Sequence, residues 1–244
     1  MNKTRIAWQG KPGKVASPTL PGFLFGVLIM KKFQFKLSGF MPLLMHADDI
    51  DGADELKAWR TDPANKDLTV PGDDRSPAWT WQTYLYHADG KVVMPSENIM
   101  AALRVAGAKL QLKGKKTFKE ATQSGLLMSA EHCQFTVNDQ PVAMAGILAL
   151  RGKVFSAHAE YARDNGFQLF VKRAKIGTAK HIRVRAKFDN WAVSGIVHAT
   201  RPELTEAIVP QLFTLAGTGG LCDWRPSGKT PGPYGQFDAV VKEI

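Results

Sequence analysis

A run of basic residues between Lys172 and Lys187 is the feature of this chain with the clearest chemical meaning. It contains seven cations and no acid, and clustered cations bind phosphate oxygens by displacing counterions. Arg183 and Arg185 alternate with apolar residues, so on a strand they would share one face. We predict a basic surface that follows a phosphate backbone; a solvated strand face is the alternative. The candidates are Lys172, Arg173, Lys175, Lys180, Arg183, Arg185 and Lys187.

A glycine-rich segment lies near the C-terminus, where residues 217–237 read GTGGLCDWRPSGKTPGPYGQF. Most connections between elements need only about 4–6 residues, so the length of this one suggests contact with a ligand. We expect the first glycines of the segment to adopt positive φ angles and to let the backbone approach that ligand closely. These glycines are Gly217, Gly219 and Gly220.

Four side chains of the same segment could hold nucleic acid. Arg225 and Lys229 offer donors to phosphate oxygens, and Trp224 and Tyr234 could stack on bases. Pinning of the loop to the core is the alternative role for both aromatic rings. A separate lysine-rich stretch in the middle of the chain adds further candidate phosphate ligands, namely Lys113, Lys115, Lys116 and Lys119.

Catalytic and metal-binding patterns are weak in comparison. The histidines and cysteines form no HxH, HExxH or CxxC spacing, so we predict no metal and no cofactor. The sequence SGKT at 227–230 ends like a P-loop but lacks the preceding glycine and the following helix. Asp48, Asp49 and Asp51 could hold Mg²⁺, although acidic loops are usually solvated surface. We therefore predict no catalytic residue.

The composition indicates a basic globular protein. With 44% apolar residues in 244 and a net charge of +10, we expect one packed domain and a polyanionic partner. Cys133 and Cys222 lie far apart, which favours free thiols in a reducing cytoplasm. The apolar run PGFLFGVLIM (21–30) is too short to span a bilayer, so we expect no membrane association. We place an extension at residues 1–29 and the domain at 30–244.

Hydrophobic periodicity predicts the elements that must position these residues. Alternating apolar residues predict a first strand at 31–39, short strands at 125–129, 133–137, 144–150 and 167–173, and a last strand at 236–244. The segments 181–188 and 190–199 resemble the two strands of one hairpin. Helices are predicted at 96–110, with Ser96 as N-cap, and at 201–217, with a kink at Pro210.

An acidic insertion at residues 47–76 interrupts this pattern, and we predict only a short helix within it, at Ala53–Trp59. The remaining order of strands with few helices predicts an α+β fold. We expect an RRM-like or ferredoxin-like antiparallel sheet with helices on one face and inserted loops.

Three stretches also resemble a known family. A glycine-rich loop between the last helix and the last strand resembles the RAMP superfamily, the RRM-like proteins that include backbone, cap and processing subunits of CRISPR effector complexes. More closely, RAKFDNWAVSGIVHA, LFTLAGTGGLCDWRPSGKTPGPYGQFDAVV and YLYHADGKVVMPSENIMAALRVAGAKL are similar to phage and prophage proteins with a GxGDWRP…GxYGxF-like ending. The likeness covers most of residues 31–244, and this chain departs from it at Leu221-Cys222.

The resemblance implies an RRM-like core that binds single-stranded RNA or DNA in a bacterial host cell. It also implies assembly along the strand, as a homo-oligomer or as one subunit of a nucleoprotein complex. The acidic insertion could then meet the basic face of a neighbouring copy.

Two other functions stay open. A RAMP-type endoribonuclease would need a positioned histidine, for which His181 is the candidate. A protein-binding module, such as an inhibitor of a host complex or a virion component, is the third. The residues do not distinguish RNA from DNA.

Overall fold

A computed structural model describes residues 30–176 and 179–244; the extension predicted at 1–29 lies outside the described residues. The helices are α1 (Ile50–Thr61), α2 (Ser96–Lys109), α3 (Lys119–Gly125), α4 (Met144–Leu148), α5 (Phe155–Asp164) and α6 (Ile208–Gly219), with 3-10 turns at Pro63–Leu68 and Thr80–Tyr84. The strands are β1 (Lys31–Gly39), β2 (Leu43–Leu44), β3 (His87–Ala88), β4 (Lys91–Pro95), β5 (Gln111–Lys113), β6 (Lys116–Thr117), β7 (Leu126–Met128), β8 (His132–Val137), β9 (Gln140–Pro141), β10 (Phe167–Ile176), β11 (Ala179–Phe188), β12 (Trp191–Ala199) and β13 (Phe237–Glu243).

The largest sheet is antiparallel and has the order β13-β1-β12-β8-β4-β3, with β7 beside β12 and β9 beside β8. In β1 the alternation predicted from the sequence is confirmed, because Phe33, Phe35 and Leu37 are buried while their neighbours are exposed. These residues form one face of the sheet together with the apolar residues opposite them on β12. The fold is therefore mixed α+β around an antiparallel sheet, as expected.

Helices cover the buried face of this sheet. The ring of Phe213 in α6 lies 5.0 Å from that of Phe35 in β1, and α2 packs beside α6. On the opposite face, β1 presents Lys32, Gln34 and Lys36 as exposed side chains. The large sheet thus has one packed face and one polar face.

The strands β10 and β11 belong to a second sheet, of order β10-β11-β2. The hairpin predicted between 181–188 and 190–199 is therefore wrong. β12 has β1 on one side and β8 and β7 on the other, so it has no free edge for β11. β11 pairs instead with β10, and the chain passes from one sheet to the other at the turn Asp189-Asn190. The two sheets share one apolar core, in which the rings of Phe188 and Phe135 lie 5.1 Å apart.

Three local predictions need correction. The segment 144–150, predicted as a strand, contains helix α4. The helix predicted at 201–217 begins only at Ile208, so Pro210 lies in its first turn, where no backbone N–H is needed, and not in the helix interior. Ser96 begins α2 without capping it, because its hydroxyl donates to the carbonyl of Ala130.

The acidic insertion contains more structure than predicted. Helix α1 extends over Ile50–Thr61, and the Asp49 side chain caps it by accepting from the backbone N–H of Gly52 at 3.1 Å. Most of α1 is exposed, as expected for an excursion from the core. The last two acids of the insertion, Asp73 and Asp74, are buried instead.

Both cysteines, Cys133 and Cys222, are buried free thiols. Burial is the main cause that raises their pKa values, to about 12 for Cys222. Across the described ranges 30–176 and 179–244, none of the helices is long and apolar enough to cross a bilayer.

The close approach of α6 to β13 generates a stability prediction. A Cβ on Gly217 would lie 2.1 Å from the carbonyl oxygen of Phe237, whereas one on Gly219 would meet nothing closer than 3.4 Å. Gly217→Ala should therefore lower the free energy of unfolding by about 1–3 kcal/mol, as overpacking does. The matched Gly219→Ala should be neutral or slightly stabilising, because alanine favours helix. Urea denaturation of both variants tests this; equal stabilities would contradict it.

Candidate functional site

A cleft of about 780 Å³ opens between the β10–β11 hairpin and the segment Gly220–Gln236, here called the C-terminal loop. Cations from both elements line it, although they lie some forty residues apart in the sequence. Six of the residues predicted to bind nucleic acid come together here: Lys172, Arg173, Arg183, Arg185, Arg225 and Lys229. We call this space the basic cleft.

The register of the hairpin explains why Lys172, Arg183 and Arg185 converge. Lys172 is the pairing partner of Arg183, and Phe170 is that of Arg185, so these four side chains share one face. The opposite face of β11 carries Val184, Ala186 and Phe188, all buried in the core. The alternation predicted for this strand is confirmed.

Strand β11 is nevertheless not the basic surface without acidic partners that was predicted. Arg185 is only 8% exposed. The compensating acid comes from the end of the acidic insertion, because Asp74 accepts from Arg183 Nη1 at 3.0 Å and lies 3.5 Å from Arg185 Nη1. Asp74 lies 109 residues before Arg183 in the sequence, so the basic run at 172–187 gives no sign of this acidic partner.

Backbone pairing holds Asp74 at this position. The backbone N–H of Asp74 donates to the carbonyl of Ile182 at 2.9 Å, and the N–H of Ile182 donates to the carbonyl of Gly72 at 2.8 Å. The Asp74 carboxylate also accepts from the backbone N–H of Val184 at 3.2 Å and from the hydroxyl of Tyr84 at 3.4 Å. Asp74 is thus paired and hydrogen-bonded on all sides, as burial of a charge requires.

A second acid, Asp223 of the C-terminal loop, faces the cleft. Its carboxylate lies 3.4 Å from Arg185 Nε and 3.7 Å from His46 Nδ1. The neighbouring imidazole of His46 is the largest cause that lowers the pKa of Asp223, and Arg185 adds to it against the opposing effect of burial. Asp223 is therefore an anion in the working pH range.

His46, Tyr84 and Asp223 are among the residues of the cleft wall that were not singled out from the sequence as site residues. His46 lies 3.3 Å from Arg185 Nη2 and packs edge-on against Tyr84, and the guanidinium of Arg185 lies 4.1 Å from the Tyr84 ring centre. Burial is the main cause that raises the pKa of Tyr84. No spacing in the sequence links these residues, because three separate segments supply them.

The cations of the cleft differ in their pairing. Arg183 and Arg185 are held by Asp74 and Asp223. Within the described part of the chain, Lys172, Arg173 and Lys229 form no ion pair, and all three are exposed. Arg225 donates to the carbonyl of Cys222 and thereby supports the loop. The exposed, unpaired cations are the groups available to an anionic ligand.

The C-terminal loop is tied down at both ends. Leu221 and Cys222 are buried, the N–H of Asp223 donates to Leu44 at 3.0 Å, and the N–H of Gly235 donates to Pro42 at 2.7 Å. Leu221 and Cys222 thus anchor the loop in the core.

Of the three glycines predicted to have positive φ angles, only Gly220 does, with a φ of 73°. Gly217 and Gly219 lie inside α6 instead. The close approach at Gly217 is to the chain's own last strand.

Three aromatic rings form the wall between the loop and the hairpin. The ring centres of Trp224 and Tyr234 are 5.3 Å apart, and that of Phe170 lies 5.7 Å from Tyr234. Trp224 lines the cleft, with the Lys172 ammonium 3.0 Å from its ring centre. Tyr234 supports Trp224 from outside the cleft lining.

The remaining predicted ligands lie elsewhere. Lys187 forms an ion pair with Asp189 at 3.2 Å, and Lys180 is exposed at the far end of the hairpin, where it pairs in register with Lys175. The four lysines at 113–119 lie on and after the exposed β5–β6 hairpin. That hairpin follows Lys109, the last residue of α2, which lies roughly 16 Å along the helix from Asn98, the α2 residue that contacts the C-terminal loop.

Over residues 30–176 and 179–244, no three His, Cys, Asp or Glu side chains converge in a way that could hold a metal ion. Asp49, one of the three candidate Mg²⁺ ligands, instead caps α1. His181 packs near Gly72 and does not line the cleft.

No protein-family model and no curated protein sequence matches this chain.

The pairing of Asp74 generates the second stability prediction. Asp74→Asn should lower the free energy of unfolding by about 3 kcal/mol, since it leaves two arginines without their shared counter-ion at a buried position. Asp67→Asn, at an exposed acid of the same insertion, should change it by less than about 0.5 kcal/mol. Urea denaturation of the two variants measures the difference, and a stable Asp74→Asn variant would show that Asp74 is not required for the fold.

Proposed function

We propose that this chain is a non-catalytic protein that binds single-stranded nucleic acid, of the phage type that its sequence resembles, and that the basic cleft holds the phosphates. The observation that carries the proposal is the convergence of cations from two distant segments on one cleft. Lys172, Arg173 and Lys229 remain exposed there. Exposed cations without acidic partners gain most from binding phosphate, because no existing ion pair is lost.

The connectivity supports an RRM-like core for this function. In chain order the elements β1, α2, β8, β12, α6 and β13 follow the pattern β-α-β-β-α-β. Their spatial order β13-β1-β12-β8 corresponds to fourth, first, third and second strand, which is the order of a ferredoxin-like sheet. The β10–β11 hairpin and the acidic insertion are then additions that build the cleft beside this core.

The polar face of the sheet is a poorer candidate than the cleft. RRM proteins stack bases on aromatic side chains of their open sheet face. Here the exposed face of β1 carries no aromatic residue; its side chains are Lys32, Gln34, Lys36 and Ser38. The basic cleft combines cations with the rings of Trp224 and Phe170, which is the combination that binds single strands without sequence preference.

Assembly along the strand remains part of the proposal. Asp73 and Asp74 are engaged within their own chain, so they are not available to a neighbour. The exposed acids of the insertion, such as Asp51, Asp54 and Asp67, are the ones that could meet the basic face of another copy. A bacterial cytoplasm is the compartment that this function implies.

The first test is a titration with labelled single-stranded RNA, single-stranded DNA and duplex DNA across a salt series. Replacing Lys172, Arg173 and Lys229 by Gln should weaken binding to single strands. It should also make the slope of log K against log salt shallower by up to about 2, at about 0.7 per lost phosphate contact. Arg183 and Arg185 are unsuitable targets, since their loss would also break the pairing with Asp74.

The matched control replaces Lys113, Lys115 and Lys116, which are equally exposed but lie outside the cleft. We expect little change in affinity or slope from it. If the two triple variants weaken binding equally, binding depends on the overall charge of the protein and not on the cleft. Absence of binding by the unchanged protein would favour the protein-binding module.

One observation favours a second function, cleavage of RNA. His46 lies in the cleft wall, 42% exposed in its side chain, and within reach of Arg185 and Asp223. An imidazole beside a guanidinium can move a proton at a phosphodiester whose charge the cations stabilise. For this activity His46 replaces His181 as the candidate general acid or base.

If the chain cleaves RNA, His46→Ala should reduce the rate by about 100-fold or more, the range expected for general acid–base catalysis. His181→Ala should leave the rate unchanged, because His181 does not line the cleft. Gel analysis of strand length in the binding reactions, with EDTA present, measures both. If the unchanged protein leaves the strands intact, binding without cleavage is the function. If His181→Ala reduces the cleavage rate, the reaction takes place outside the basic cleft.

A further inference from the structure

Trp224 has a backbone conformation that bulky residues rarely adopt. Its φ is 48°, and that of Cys222, two residues earlier, is 60°. Such conformations cost about 1–3 kcal/mol each and persist only when the surroundings enforce them. They therefore point to a reason for holding this indole in one place.

The surroundings of Trp224 do enforce its position. Its backbone N–H donates to the Asp223 carboxylate at 2.9 Å, and its Nε1–H donates to the carbonyl of Pro231 at 3.2 Å. A Cβ on Gly232 would lie 2.2 Å from the indole, so only glycine fits beside it. Trp224 itself is only half-buried, whereas Leu221 and Cys222 are buried and anchor the loop. Anchoring alone therefore does not account for an indole at the cleft wall.

The ammonium of Lys172 lies over the Trp224 ring, 3.0 Å from its centre. A cation–π contact at an exposed site contributes about 0.5–1 kcal/mol. Stacking of one base on an aromatic ring contributes about 1–3 kcal/mol. The base is thus the stronger partner for this ring face, and the displaced ammonium can bind the phosphate next to it.

We propose that Trp224 is the platform on which one nucleobase stacks, and that the base takes the ring face now covered by Lys172, whose ammonium then binds the adjacent phosphate. This proposal rests on the proposed function, because it concerns the same cleft. It implies tolerance of base identity, since every base has a stacking face.

The experiment titrates the full chain with a single-stranded 8-mer, with the same 8-mer carrying one abasic nucleotide at each position in turn, and with inorganic polyphosphate. Trp224→Leu should weaken binding of the intact 8-mer by about 5- to 150-fold. It should also remove the abasic penalty that the unchanged protein shows at one position. Polyphosphate has no bases, and loss of the ring leaves the Lys172 ammonium free for phosphate, so the affinity for polyphosphate should not fall; this shows that the variant is folded.

Two further variants complete the test. Lys172→Met, which removes the competing ammonium, should weaken binding of polyphosphate but increase the ratio between intact and abasic 8-mer affinities. Trp224→Phe keeps a ring against Tyr234 and should show a smaller abasic penalty than tryptophan. If Trp224→Leu also loses polyphosphate binding and is therefore misfolded, the abasic penalty of Trp224→Phe tests the stacking platform in its place.

The outcomes separate this proposal from the proposed function. If the unchanged protein binds no 8-mer, the proposed function fails. If it binds, but both Trp224 variants keep its full abasic penalty, nucleic-acid binding stands and the stacking platform is wrong. An unchanged ratio in Lys172→Met would refute the competition for the ring face.

Discussion

The buried carboxylate of Asp74 is the interaction on which the rest of the site depends. It is 1% exposed and accepts hydrogen bonds from Arg183 and from the backbone of Val184. Two neighbouring guanidiniums repel each other and resist burial unless an anion lies between them. By supplying that anion, the end of the acidic insertion lets a basic strand form the floor of a cleft and fixes the insertion against the hairpin.

The basic cleft consequently contains two kinds of cation. Arg185 is enclosed by Asp74, Asp223 and the ring of Tyr84, so it holds together the segments that form the cleft wall. Lys172, Arg173 and Lys229 are exposed and form no ion pair in the described structure, so their charge is the part that is available to an anionic ligand. A reversal of charge at Arg185 would alter stability and binding together, whereas neutralising Lys229 changes the electrostatic field at small structural cost.

The sequence predicts the features that depend on local order and misses those that depend on competition between segments. The alternation around Phe35 and around Val184 is a property of each strand, and it was predicted correctly. The partner of β11 was not, because β12 has two better neighbours whose positions no local pattern contains. The candidate site divides in the same way: its cations were visible as a run, while Asp74 and His46 reach it through tertiary contacts alone.

The length and composition of the C-terminal loop follow from two demands made on one segment. Gly232 is required by close packing against the indole of Trp224, and Gly217, in α6 just before the loop, by close packing against the carbonyl of Phe237. The glycines thus shape the loop itself more than its approach to a ligand. Between them the loop carries Arg225 and Lys229 to the cleft, opposite the hairpin cations. A shorter connection could join α6 to β13, but it could not also form the second wall of the cleft, and this is the physical reason for the long glycine-rich run.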